Sequence, residues 1–139
     1  MATMTTSGLD ELALSFEEIA RGGDELMRPM LEAQCEIVGK AQAETAASML
    51  AGPYNQGALA KGPTPGKYKR SAGGASMSLT FKGSQHGTRL AEIAFYNEFG
   101  TGRGQAARPF IRAANEKSAS AATDAAAKVY DQYLASKGL

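Results

Sequence analysis

The sequence predicts an α+β domain in which helices pack on a small antiparallel sheet, with a long basic loop and a long C-terminal helix. Three observations predict it. Apolar residues recur at helical spacing before residue 50 and after residue 108, they alternate over residues 76–82 and again at 91, 93 and 95, and the helical and alternating stretches do not interleave. Segregation of this kind gives helices laid on an antiparallel sheet rather than a doubly wound parallel one. A chain of 139 residues supports one domain, spanning residues 1–139, with one modest core. Its hydrophobic fraction of 43% is that of a globular chain, but alanine supplies much of it, so the core is built from small pieces and an oligomer would add burial.

The helices come first, over about residues 8–50. Ser7 with Asp10 three residues later has the pattern of a capping box, and Leu9, Leu12, Phe16 and Ile19 follow at helical spacing, predicting a helix over 8–20. Gly22 and Gly23 break it, and Asp24 then caps a second helix that reaches Leu50, with Pro29 near its first turn. Met30, Ala33, Ile37 and Ala41 form one stripe of that helix and Leu31, Gln34 and Val38 a neighbouring one. Core packing is the expectation for both. Cys35, the single cysteine, stands at an apolar position, which excludes an intrachain disulfide and fits a reducing compartment.

Residues 51–75 change character: six glycines, three prolines, four basic residues and no acid. So long a loop is uncommon inside a compact domain and tends to be functional or disordered. Lys61, Lys67, Lys69 and Arg70, with Tyr54 and Tyr68 nearby, suit contact with phosphates or with an acidic protein surface. A solvated loop is the competing reading. Beyond it, Ser76 to Lys82 alternates between apolar and small polar residues, and Ala91, Ile93 and Phe95 alternate again after the turn 83–87, so residues 76–96 read as an antiparallel hairpin. His86 lies at its tip. A lone turn histidine without a second metal-ligating side chain at suitable spacing reads as a surface residue.

A Gly-rich turn, residues 97–107, then leads into a helix over 108–137. Pro109 suits a first helical position, the face runs through Phe110, Ala113, Ala114, Ala121, Ala125, Val129 and Tyr133, and Lys137 with Gly138 suits the end. Gly100, Gly102 and Gly104 occupy the place of a dinucleotide fingerprint, but their spacing is G-x-G-x-G and no later strand completes a βαβ unit. The glycines are therefore expected to shape the joint. No cofactor or metal is expected.

Catalytic constellations are equally sparse. Glu98, Arg103, Arg108 and Arg112 can gather around the turn, yet a general acid–base pair needs a second titratable partner, and Glu92 is the nearest acid. Glu98 is expected to pair with an arginine or to accept hydrogen bonds from the turn's amides. His86 and Cys35 sit in unrelated elements without a nucleophile signature. The expectation is that the protein is not an enzyme. Charge adds one more feature: residues 1–50 hold nine acidic and three basic side chains, net −6, and residues 51–139 five acidic and twelve basic, net +7. Such asymmetry can steer a partner or let copies dock, or serve solubility alone. No basic targeting segment or membrane-spanning run is visible, so no membrane partner is expected.

The string Ala94-Phe95-Tyr96-Asn97-Glu98-Phe99-Gly100-Thr101, a short Gly/basic insert, and Ala107-Arg108-Pro109-Phe110-Ile111-Arg112-Ala113-Ala114 closely resembles the A-x-Y-x-E-F-G-T … A-R-P-F-[LI]-R-x-A signature of the tail-completion, or neck, proteins of long-tailed bacteriophages. The specific letters occupy about twenty residues, and the preceding helices, basic Gly/Pro loop and hairpin follow the layout of that family. Gly66-Lys67-Tyr68-Lys69-Arg70-Ser71 departs from it, since members often have a tight turn into a leucine or isoleucine strand start there. The resemblance implies a virion structural protein of the head-to-tail joint, made in the host cytoplasm and forming a homo-oligomeric ring between the head connector and the tail tube. Its partners would be further copies of itself, head-closure and tail-terminator or tail-tube proteins, and DNA in the channel. Glu98, Phe99, Gly100 and Thr101 would set the strand-to-helix corner, with Arg108, Pro109 and Phe110 locking the last helix on the sheet. Lys61, Lys67, Tyr68, Lys69 and Arg70 would form an interaction or DNA-channel loop. The alternative from another class is a small nucleic-acid-binding module using the 61–70 loop, against which the near-neutral total charge of +1 weighs.

Overall fold

The structure, a computed structural model, describes residues 23–50, 57–72 and 74–138, so the helix expected over 8–20 lies outside the described residues. Two 27-residue helices, α1 (Gly23–Met49) and α3 (Phe110–Ser136), dominate the fold, with a ten-residue helix α2 (Leu90–Phe99) between them in sequence. The strands are short and antiparallel. β1 (Thr64–Pro65) pairs with β4 (Leu79–Thr80), β2 (Lys69–Ser71) with β3 (Gly74–Ser76), and β5 (Ser84–Gln85) with β6 (Thr88–Arg89), giving three separate two-stranded ribbons. The class is α+β as the segregated pattern predicts.

α1 and α3 pack along one another in opposite directions, as Gln42 Nε2 donates to Asn115 Oδ1 at 3.0 Å near one end and Lys137 Nζ lies 4.0 Å from Glu25 at the other. Small residues make this possible. Ala114, Ser118, Ala122 and Ala126 recur every four residues and are buried, and Ala41, Gln42, Thr45 and Ala46 answer them on α1. Thr45 and Ser118 return their hydroxyls to Ala41 O and Ala114 O, at 2.6 and 2.7 Å, so no hydroxyl is left unpaired in the seam. The buried line on α3 thus passes through Ala122 and Ala126, one residue from the expected Ala121 and Ala125, and Ala121 is exposed. Pro29 falls in the second turn of α1, near its start as expected.

At the far end of α1 the side chains grow. Ala46, Leu50, Leu59, Phe81, Leu90, Ala94 and Phe110 form one buried cluster, with the Phe81 and Phe110 rings 5.8 Å apart. Full burial of a phenylalanine contributes roughly 2–3 kcal/mol. Ile93 and Ile111 pack on the outside of this cluster.

Three expectations are corrected. The hairpin over 76–96 does not form: Leu79–Thr80 pairs back with Thr64–Pro65, only Ser84–Arg89 makes a small hairpin, and residues 90–99 are helical. Read with a helical period, Leu90, Ile93, Ala94 and Asn97 form the inner face, whereas Ala91 and Phe95, expected to share a face with Ile93, point outward. The Gly-rich turn consequently joins two helices, not a strand to a helix, and the last helix rests chiefly on α1 rather than on a sheet. Finally, the described part of the 51–75 loop carries a 3-10 turn at Leu59–Lys61 and strands β1 to β3.

Candidate functional site

Part of the string carrying the resemblance, Asn97, Glu98, Gly100, Thr101, Arg108 and Phe110, builds a corner between α2 and α3, whereas the Phe99 side chain, expected to help set it, is 68% exposed. Gly100 ends α2 with φ +77°, its N–H donating to Tyr96 O at 2.8 Å. A side chain there would meet Gln105 O at 2.8 Å and Ala107 N at 3.0 Å, so both the backbone conformation and the space require glycine. The turn closes on itself when Thr101 N–H donates to Gln105 O at 3.0 Å. Arg103 is exposed in this turn.

Glu98 and Asn97 then tie the two helices. The Glu98 carboxylate accepts the Ile111 amide at 2.8 Å and the Arg112 amide at 3.0 Å, meeting two of the first N–H groups of α3 that have no intrahelical partner. It therefore caps a helix ten residues away in sequence from its own. Asn97 is the hub of the corner. Its Oδ1 accepts from Arg108 Nη2 at 2.7 Å and Gln105 Nε2 at 3.3 Å, its backbone O accepts from Arg108 N at 2.6 Å, and its Nδ2 donates to Ile93 O at 2.9 Å. Phe110, fully buried, pins the start of α3 in the core, and Pro109 stands immediately before it. Arg112 pairs with Glu116 on its own helix. Sequence reasoning assigned roles to Glu98, Gly100 and Phe110 but missed Asn97, whose neighbour Glu98 is the more conspicuous polar residue.

A cleft of about 360 Å³ opens beside the corner, lined among others by Leu50, Leu59, Gln85, His86, Asn97 and Arg108. His86, exposed at a hairpin tip as expected and at φ +52°, also lines this cleft. Glu98 spends its carboxylate on the α3 amides and does not line the cleft. Gln85 Nε2 is buried without a hydrogen-bond partner. Among the described residues no group of three metal-ligating side chains occurs.

The basic segment is partly committed. Tyr68 hydroxyl and Arg70 Nη1 both donate to Asp24 Oδ1, at 2.8 and 3.0 Å, and the Arg28 guanidinium lies 4.7 Å from the Tyr68 ring. The Tyr68 hydrogen bond, aided by Arg70, holds the Asp24 carboxyl below its ordinary value, whereas desolvation and Asp24 raise the Tyr68 phenol. Lys61, Lys67 and Lys69 are exposed. Acidic and basic halves of the sequence are therefore interleaved in space: α1 lies along α3, and Asp24 and Glu25 meet Arg70 and Lys137.

Outside the corner, α2 presents aromatic side chains to solvent. Phe95 is 57% exposed, Tyr96 43% and Phe99 68%, with the Phe95 and Phe99 rings tilted against one another, 4.8 Å between centroids. Among the described residues no helix is long and apolar enough to cross a membrane. No protein-family model, curated protein or solved structure matches the chain.

Proposed function

We propose that the protein is a virion structural component of the head-to-tail joint of a long-tailed bacteriophage, forming a ring between head connector and tail tube, with no catalytic role. The observation that carries the reading is that Glu98, Gly100, Arg108 and Phe110 of the string resembling the neck-protein signature serve one mechanical device. Glu98 caps α3, Gly100 turns the chain, Arg108 is held by Asn97 and Phe110 anchors the helix. A signature spent on a rigid joint suits a protein whose task is to hold geometry under load, and it leaves the outer face of α2 for contacts between subunits. The partners are further copies, the neighbouring head-closure and tail-terminator or tail-tube proteins, and DNA passing through the channel. Lys61, Lys67 and Lys69 offer exposed positive charge toward such an acidic partner.

The test is joining of DNA-filled heads to tails, scored by electron microscopy with and without the purified protein. Joined particles only in its presence are expected, with the protein retained as a ring at the junction. Joining that is indifferent to the protein overturns the reading. Salt-dependent binding of free DNA that is lost in the Lys61→Ala/Lys67→Ala/Lys69→Ala protein would then favour a nucleic-acid-binding module.

A further inference from the structure

The exposed face of α2 carries Phe95 and Phe99 one turn apart, with Tyr96 beside them in edge contact with Phe95 at 6.3 Å. Three neighbouring aromatics on one short helix are a costly surface to leave in water, and such patches mark contacts with another apolar surface. The surrounding segment is basic. Residues 82–112 carry Lys82, Arg89, Arg103, Arg108 and Arg112 against Glu92 and Glu98, net +3.

The chain itself contains a complementary surface. Leu9, Leu12, Phe16 and Ile19 recur at helical spacing in residues 1–22, which hold Asp10, Glu11, Glu17 and Glu18 against Arg21, net −3. Length decides which copy supplies it. α1 starts at Gly23 and its 27 residues span about 40 Å, with α2 packed against Ala46 and Leu50 at the opposite end. A helix over residues 8–20 spans only about 20 Å, so folded back along α1 it reaches about half way to the aromatic face of its own chain. A second copy has no such limit.

We propose that the aromatic face of α2 is the docking site for the acidic, amphipathic segment 8–20 of a second copy of this chain. The contact is heterologous, since donor segment and acceptor face are different surfaces, and heterologous contacts generate rings when the rotation closes. It names the subunit joint of the ring and rests on that reading for the closed assembly, while self-association is measured apart from head–tail joining.

The test measures the mass of the full chain in solution by sedimentation and native mass spectrometry. Wild type is expected to associate, and Phe99→Asp, or Leu12→Asp with Phe16→Asp, to weaken association by about 30-fold or more. Mixing the two variants should restore one joint and give a 1:1 dimer that grows no further, because one variant keeps the segment and the other keeps the face. A monomeric wild type, variants that keep the wild-type mass, or a mixture that stays monomeric overturns the proposal. Should a variant fail to fold, a benzophenone amino acid placed at position 99 decides: cross-linked dimers mapping to residues 1–21 support the contact, and cross-links within one chain or to another segment overturn it. Association through this face by a protein that does not join heads to tails would sink the neck reading and leave this one standing. A monomer that does join them would do the reverse.

Discussion

The α2–α3 corner and the basic ribbon around Tyr68 both tie distant segments together, but by different means. The corner is anchored by a fully buried phenylalanine and by a carboxylate that meets backbone amides with no other partner. The ribbon is held to α1 by Asp24, Tyr68 and Arg70 at the surface, where water competes for every group and the two ion-paired side chains are about half exposed. Removing a group from the first leaves a cavity or an orphaned donor, and removing one from the second leaves solvated atoms. Rigidity should therefore reside in the corner and adaptability in the ribbon.

Phe110→Ala tests the contrast at its strongest. The side chain is completely buried against Phe81 and the cluster around Leu50 and Leu90, so the substitution is expected to cost about 4 kcal/mol, read as a fall in the denaturant midpoint. Gly100→Ala comes next, at about 3 kcal/mol, because a Cβ at φ +77° would also press on Gln105 O, a backbone atom that cannot swing aside. Glu98→Ala should cost about 1–2 kcal/mol by leaving the Ile111 and Arg112 amides unmet, and Glu98→Gln should recover part of it. If Glu98→Ala proved neutral, the carboxylate would be a spectator and the corner would rest on Phe110 alone.

How much of this was legible in the sequence depends on length. α1 and α3 each run 27 residues, so their 3.6-residue period repeats often enough to fix existence and ends closely, while the one-residue shift of the α3 seam to Ala122 and Ala126 is invisible where nearly every neighbour is also alanine. α2 has ten residues and is apolar on most sides, so Ala91, Ile93 and Phe95 fit a strand period while Leu90, Ile93, Ala94 and Asn97 fit a helical one. Packing of Leu90 and Ala94 against Leu50 decided the matter, and that contact spans some forty residues of sequence. β1 and β2, two and three residues long in a Gly/Pro-rich stretch, leave no periodic trace, so residues 51–75 read as loop, whereas β4 falls in the alternating stretch that reads as strand. The resemblance implies a corner at Glu98, Gly100, Pro109 and Phe110, though between a strand and a helix, and the hub position of Asn97 depends on where Arg108 returns in space.

The smallest effect sharpens the comparison from the other side. Asp24 titrates below its ordinary value of 3.8 chiefly because the Tyr68 hydroxyl donates to its charged form, with Arg70 adding to the effect. A carboxyl depressed in the folded state contributes stability above its unfolded pKa, and that contribution fades as pH falls through the lowered folded value. Tyr68→Phe removes the largest cause, so the Asp24 titration followed by carboxyl NMR should move up toward 3.8, and the difference in stability between the two proteins should narrow as the pH drops below that value. At neutral pH the fall in denaturant midpoint should be small, well short of that of Glu98→Ala, because the lost hydrogen bond is replaced by one to water. A loss at pH 7 as large as that of Glu98→Ala would mean that the ribbon is a structural tie of the same rank as the corner, and rigidity would then extend along the whole of α1 rather than concentrate where α2 meets α3.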